Sequence, residues 1–185
     1  MTKRDTGDVL DVTIYIGGLH ASRTPSLVRT TLGSCIAVCL YDPVAKVGGM
    51  NHFMLPEAQG EVTEPTRYGG YAMELLIGEL QKIGGLRSRF IAKIFGGGHV
   101  LDTEPSADSV PSRNIEFARE FIRDEGFHVA SIDVGGLLPR LIKFETWSGR
   151  AFLKRLGRPI ATLSVEEAAA RVRTRTPDAA HLDFF

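Results

Sequence analysis

Leu32-Gly33-Ser34-Cys35-Ile36-Ala37-Val38-Cys39-Leu40-Tyr41-Asp42-Pro43, continued beyond Val44-Ala45-Lys46 by Val47-Gly48-Gly49-Met50-Asn51-His52-Phe53-Met54-Leu55-Pro56, decides the fold class. The first run is extended in character, Asp42-Pro43 is a turn signal, and the second run reads as a strand closed by Pro56. Two strands joined by so short a connection form an antiparallel hairpin. Folding at Asp42-Pro43 brings Cys35 and His52, seventeen positions apart in the chain, onto neighbouring strands where the two side chains can meet.

Outward from this hairpin, residues 9–17 alternate as an opening strand with Val9, Val12, Ile14 and Ile16 apolar, broken at Gly17-Gly18. Residues 22–26 hold the loop signal Thr24-Pro25, and residues 27–31 resume extended character. Residues 57–67 are polar, contain Gly60 and Pro65, and read as an exposed loop at a site entrance. The spacing predicts a helix over 71–83 with Ala72, Leu75, Leu76, Leu80 and Ile83 on one face, ended by Gly84-Gly85. A strand over 90–95 leads into Gly96-Gly97-Gly98. A second helix fits 114–125, with Ile115, Ala118, Phe121 and Ile122 inward, and strands follow over 129–134, 141–146 and 151–156. Ser164 caps a short helix over 164–173, with Glu166-Glu167 in its first turn. Strands outnumber helices and short turns join many of them. The fold class expected is therefore α/β of the α+β kind: a mixed, largely antiparallel sheet sandwich with two or three helices.

A chain of 185 residues suits one domain over 1–185, with a core at about 9–156 and a C-terminal helix and tail over 164–185. Its 43% hydrophobic and 24% charged content belongs to a globular protein, not to a disordered chain. Lys+Arg 22 balances Asp+Glu 22, which argues against nucleic acid or an anionic membrane as the main partner. The N-terminus lacks the apolar core of a secretory signal, and no run approaches the roughly 20 apolar residues of a membrane helix. The expected location is the cytoplasm.

Cys35 and Cys39 are the only cysteines. On one strand they stand roughly 13 Å apart, too far to bridge. A C-x3-C pair alone does not build a zinc site, so reduced thiols are expected, with no metal and no cofactor. A thiol attacks only as thiolate and needs a base nearby, which His52 can supply to Cys35. Gly33 and Ser34 leave the backbone before Cys35 unencumbered, so a substrate carbonyl can approach and a backbone N–H can serve its oxyanion. For an arbitrary cysteine and histidine, burial as core side chains is the commoner outcome. Cys39, among Val38, Leu40 and Tyr41 with no glycine approach, keeps that reading. Gly96-Gly97-Gly98-His99 lacks the Lys-Ser/Thr of a phosphate loop and reads instead as a tight turn beside the site, with His99 near its rim.

The quoted hairpin resembles the signature of the CheD-type chemoreceptor glutamine deamidases. Further likeness comes from Ile94-Phe95-Gly96-Gly97-Gly98, Arg113-Asn114-Ile115 opening a helix, Asp133-Val134-Gly135-Gly136 and Ser148-Gly149-Arg150. The resemblance implies a hydrolase that converts glutamine side chains on methyl-accepting chemotaxis receptors to glutamate with release of ammonia. It implies receptor methyl-ester hydrolysis in some members and a CheC-type phosphatase as partner in some organisms. It maps the nucleophile onto Cys35, the base onto His52, and a third site residue onto Thr30, with Thr31 as the second choice. Leu137-Leu138-Pro139-Arg140 departs from the polar stretch usual after the glycine pair, which opens the question of selectivity in that loop. The chain is expected to act as a monomer. Two other readings stand beside this one: a non-catalytic regulatory module of chemotaxis signalling that binds a CheC-type phosphatase, and a thiol peptidase using the same attack.

Overall fold

The computed structural model describes residues 9–54, 66–100 and 106–157, without the side chains of 66–68. Nine strands and two α-helices are present among them: β1 (Leu10–Thr13), β2 (Leu19–Ser22), β3 (Ser26–Leu32), β4 (Ile36–Asp42), β5 (Val47–Phe53), α1 (Thr66–Lys82), β6 (Ile91–Gly96), α2 (Val110–Asp124), β7 (His128–Val134), β8 (Arg140–Glu145) and β9 (Ala151–Arg155). A 3-10 turn at Arg87–Arg89 precedes β6. The strands form a four-stranded sheet in the order β1-β3-β8-β9 and a five-stranded sheet in the order β2-β5-β4-β6-β7. The pairs β1·β3 and β6·β7 are parallel and the others antiparallel, which is the mixed, largely antiparallel architecture expected.

The central strand β4 explains the layering. Side chains alternate across a strand, so Ile36, Val38 and Leu40 face the helices, packing with Met73, Leu76, Ile77 and Leu80 of α1 and Ala118 and Ile122 of α2. Ala37 and Cys39 face the other way, with Cys35 just before them, against Val28 and Leu32 of β3 and Ile142 and Phe144 of β8. The result is sheet, sheet and helices in three layers, with apolar side chains on both faces of β4. Each fully buried Leu or Ile contributes roughly 1.5–3 kcal/mol. Leu76→Ala, which would open a cavity under α1, is expected to cost roughly 2–5 kcal/mol.

The far end of the β4–β5 hairpin is clamped by one carboxylate. Asp42 Oδ1 accepts from the amides of Val44 (2.9 Å) and Ala45 (3.0 Å), closing the turn. Its Oδ2 accepts from the Leu86 amide (2.9 Å) and from Arg89 Nη2 (2.7 Å). Burial pushes the Asp42 carboxyl up, but Arg89 and these amides outweigh it and hold it down at about 2. The clamp fixes the register Ala37↔His52 and Ile36↔Phe53 on which the site depends.

Several local expectations need correction. The segment Leu19–Ser22 is a strand, β2, paired with β5. The first helix begins at Thr66, so the end of the expected 57–67 loop is helical; residues 57–65 lie outside the described residues, as do the helix over 164–173 and the tail. The buried stripe of α1 is Met73, Leu76, Ile77 and Leu80, whereas Leu75 is exposed. The second helix starts at Val110, with Ser109 as its N-cap and Pro111 in its first turn, so Arg113-Asn114-Ile115 sits inside the helix and does not open it. Among the described residues no helix is long and apolar enough to cross a membrane.

Candidate active site

Cys35 stands immediately before β4, at the end of the hairpin opposite the Asp42 clamp. Directly paired residues of an antiparallel ladder point to the same face, so the Ala37↔His52 register puts His52 on the inter-sheet face with Cys35. Cys35 and His52 are then diagonal neighbours, about 7 Å apart or slightly less at Cβ, within reach of a thiol and an imidazole. Cys35 is fully buried and His52 is 3% exposed. The Met54 thioether lies against the thiol, with Sδ 3.7 Å from Cys35 Sγ and 3.8 Å from Ser34 Oγ.

Thr30 reaches His52 from the facing sheet. Ser26, Val28, Thr30 and Leu32 form the buried face of β3, and Thr30 Oγ1 lies 2.8 Å from His52 Nδ1. Thr31, next along the strand, points to the opposite face. The same Thr30 hydroxyl is 2.9 Å from the Ile14 carbonyl, which can only accept. The single hydroxyl proton therefore goes to Ile14, and Thr30 Oγ1 accepts from Nδ1–H of the imidazole. This sets the tautomer: Nε2 carries the lone pair. Nε2 is buried and makes no hydrogen bond among the described residues, the kind of buried unsatisfied group that functional sites retain. Burial pushes His52 down to about 4, so the ring is neutral at physiological pH. It is prepared to take a proton, not to hold a standing charge.

The loop before Cys35 is held by its carbonyls. The Gly33 oxygen accepts from the Gly98 amide (2.8 Å) and the Cys35 oxygen from the Gly97 amide (2.7 Å). Between them the Ser34 oxygen accepts from Asn114 Nδ2 (2.9 Å). In a trans peptide the N–H points opposite to the C=O, so the amides of Ser34 and Cys35 are turned away from Gly98 and Asn114. Backbone amides of such a loop are the means by which a main chain stabilises an oxyanion. Gly96 has φ of 116°, and a Cβ there would collide with the Cys35 carbonyl oxygen.

Of the residues singled out from sequence, Thr30, Ser34, Cys35 and His52 come together here, with Gly33 in the supporting loop. His99 is buried, its amide bonded to the Gly136 carbonyl (2.8 Å). Asn114, the Gly97 and Gly98 amides and the Ile14 carbonyl were missed as site-supporting groups. For Asn114 a signal existed: it falls at i, i+4, i+8 with Ala118 and Ile122, a polar side chain inside an apolar stripe, and it is fully buried. Among the described residues no group of three or more His, Cys, Asp or Glu is gathered to hold a metal ion.

Comparison with known proteins adds to this geometry. The family model described as CheD chemotactic sensory transduction matches residues 54–155. The chain is 44% identical over 176 residues to a protein of Caulobacter sp. (strain K31) named probable chemoreceptor glutamine deamidase CheD, covering 94% of this chain and 88% of that protein. It is 46% identical over 147 residues to proteins of the same name from Xanthomonas axonopodis pv. citri (strain 306) and Stenotrophomonas maltophilia (strain K279a), covering 79% of this chain and 74% of each. With a family model matching more than half of its length and relatives this similar over most of theirs, the chain belongs to the CheD family.

Proposed function

We propose that the protein is a chemoreceptor glutamine deamidase working through a cysteine thiol. The observation that carries the mechanism is the Thr30–His52 contact of 2.8 Å, which leaves a neutral imidazole with its Nε2 lone pair on the face that bears Cys35. Attack begins as His52 Nε2 takes the thiol proton while Cys35 Sγ bonds to the δ-carbon of the glutamine side chain. The carbonyl oxygen becomes an oxyanion, received by amides of the Ser34–Cys35 loop. Collapse breaks the C–N bond, and the proton on Nε2 passes to the departing nitrogen, releasing ammonia. A water molecule, deprotonated by the same Nε2, then attacks the thioester, giving glutamate and restoring the thiol. Because burial disfavours a charged ring, the proton moves with the attack and no ion pair stands beforehand. Met54, in contact with the thiol, has to give way as the substrate enters.

A receptor methyl ester would form the same thioester with methanol as leaving group, which supports methylesterase activity on the same residues. The chain would work in the cytoplasm as a monomer, on chemoreceptor cytoplasmic domains and alongside a CheC-type phosphatase where one is present. Peptide mass spectrometry of receptor cytoplasmic fragments incubated with the protein tests the reading. Each deamidation adds about one dalton at a glutamine, since NH2 is replaced by OH. Fragments that keep their glutamines, or that are cut, would sink it.

A further inference from the structure

The loop between β7 and β8 builds a second feature at the same end of the molecule. Arg140, the first residue of β8, is 2% exposed and lies beneath this loop. Its guanidinium donates to the Asp133 carbonyl (2.7 Å), to Asp133 Oδ1 (2.6 Å) and to the Gly135 carbonyl. The other Asp133 oxygen accepts from Arg155 Nη2 (2.5 Å). These groups line a cavity of about 350 Å3, whose remaining wall includes Arg119 of α2 and the exposed Leu137 and Leu138.

Three guanidiniums thus line a pocket with one carboxylate, in a chain whose charges balance overall. Among the described residues Arg119 has no carboxylate partner. Burial pushes Arg140 down from the usual guanidinium range, Asp133 opposes this, and Arg155 adds to it. Among the described residues the pocket is short of negative charge, and a second carboxylate would supply it. Its apolar rim suits a peptide better than a small free anion.

The pocket is also coupled to the nucleophile loop. Gly135 N donates to Gly96 O (2.9 Å) and His99 N to Gly136 O (2.8 Å), while Gly97 and Gly98 hold the carbonyls of Cys35 and Gly33. A Cβ built on Gly98 would stand 3.3 Å from both Gly33 O and Leu138 O, so a single chain's width separates the two loops. At about 5 Å per strand spacing, one or two such spacings put the two loops roughly 5–10 Å apart. An α-helix rises 5.4 Å per turn, so a side chain one or two turns from a helical target residue falls in this range.

We propose that this pocket is a subsite for a carboxylate side chain of the protein substrate. The acid seats between Arg119 and Arg155, three, four or seven residues from the target glutamine, with an apolar neighbour on Leu137 and Leu138. The assignment rests on the deamidase reading for its substrate, but its test does not require turnover. Two synthetic helical peptides are titrated by fluorescence anisotropy onto full-length Cys35→Ala protein. They carry one central glutamine and differ only in Glu or Gln four residues away. Tighter binding of the Glu peptide by about tenfold is expected, falling to about equal in Arg119→Glu, as for a rim charge facing an opposite charge. Arg119 is exposed, so the variant keeps its fold, checked by its melting midpoint; Arg155→Gln should halve the preference or more. Equal binding of the two peptides, or a preference that survives both substitutions, overturns the subsite. Failure of receptor deamidation alongside a preserved Glu preference would overturn the deamidase reading and leave the carboxylate site standing.

Discussion

Cys35, immediately before β4, and Cys39, in its middle, share one face and near-complete burial, yet the two positions are different chemical places. Cys39 lies in the middle of β4, opposite Met50 on one side and Lys93 on the other. Burial pushes its thiol far up, the Lys93 charge countering only in part, so it stays protonated and inert. Cys35 sits at the end of the strand, where a glycine-flanked loop replaces regular pairing and where His52, oriented from the facing sheet by Thr30, shares its face. Burial alone therefore separates nothing here. In the proposed mechanism a neighbouring lone pair and the loop amides before β4 make the difference, and both come from how β3, β4 and β5 meet.

The comparison breaks most sharply at sulfur. Cys35→Ala is expected to lower receptor deamidation by at least about a thousandfold, since the covalent route is gone. Cys39→Ala should leave the rate within about threefold and lower only stability, by roughly 1 kcal/mol for a small core cavity. Mass spectrometry of a receptor fragment against time measures both. Equal losses in two folded variants would mean that position on the strand does not decide reactivity.

Removing the base comes next. His52→Ala is expected to cost about 100-fold or more in kcat/KM, the usual worth of a positioned proton acceptor. The acid limb sharpens this: with His52 down at about 4, activity should persist below the ordinary histidine range and fall only as pH approaches 4. An acid limb centred near 6.5 would mean that the ring is solvated in the working enzyme.

The same pKa governs stability. The folded value of about 4 lies below the unfolded value of 6.5, so the unfolded chain binds the proton more readily. The contribution of neutral His52 is thus fully present above about pH 6.5 and is lost as pH falls toward 4, on the order of 3 kcal/mol in total. Urea denaturation at pH 7.5, 6 and 5 should show falling stability, with a smaller decline in His52→Gln. Parallel declines in the two proteins would assign the pH dependence to other groups.

How far these residues could be read from the chain depends on the distance over which each interaction acts. The hairpin is local: apolar runs, a turn at Asp42-Pro43 and a closing proline suffice, and they place His52 beside Cys35. Leu19–Ser22 escaped because a four-residue run, hemmed between Gly17-Gly18 and Thr24-Pro25, is too short for its alternation to stand out from a loop; pairing with β5 makes it a strand. The start of α2 escaped because Pro111 looks like a breaker, although the first helical turn tolerates it. Asn114 meets the Ser34 carbonyl across eighty residues, which no local pattern encodes. Leu75 and Met73 show a smaller failure: a short apolar stripe fits more than one helical phase, and packing on β5 and β2 selects the phase that buries Met73.

The smallest expected effect concerns the hydroxyl that sets the imidazole. Thr30 and Thr31 are adjacent, but only Thr30 lies on the buried face of β3, 2.8 Å from Nδ1. Thr30→Val keeps the volume and the β-branch while deleting both the donor to the Ile14 carbonyl and the acceptor for Nδ1–H; only the second touches the imidazole, so the loss in rate should be that of one neutral hydrogen bond. At roughly 0.5–1.5 kcal/mol this is about a threefold to tenfold fall in kcat, well short of the His52→Ala effect. Thr30→Ser, which restores the oxygen, should recover most of the rate, and Thr31→Val should leave it within about twofold. The rescue separates orientation from packing: a serine leaves a larger void than valine, so a purely structural role would make it the worse variant. If Thr31→Val is the damaging change, the imidazole takes its orientation from another group and the tautomer argument fails. If neither threonine matters in folded protein, the lone pair at Nε2 does not depend on the facing sheet, and the contrast between the two cysteines reduces to the β4–β5 hairpin and the loop before it.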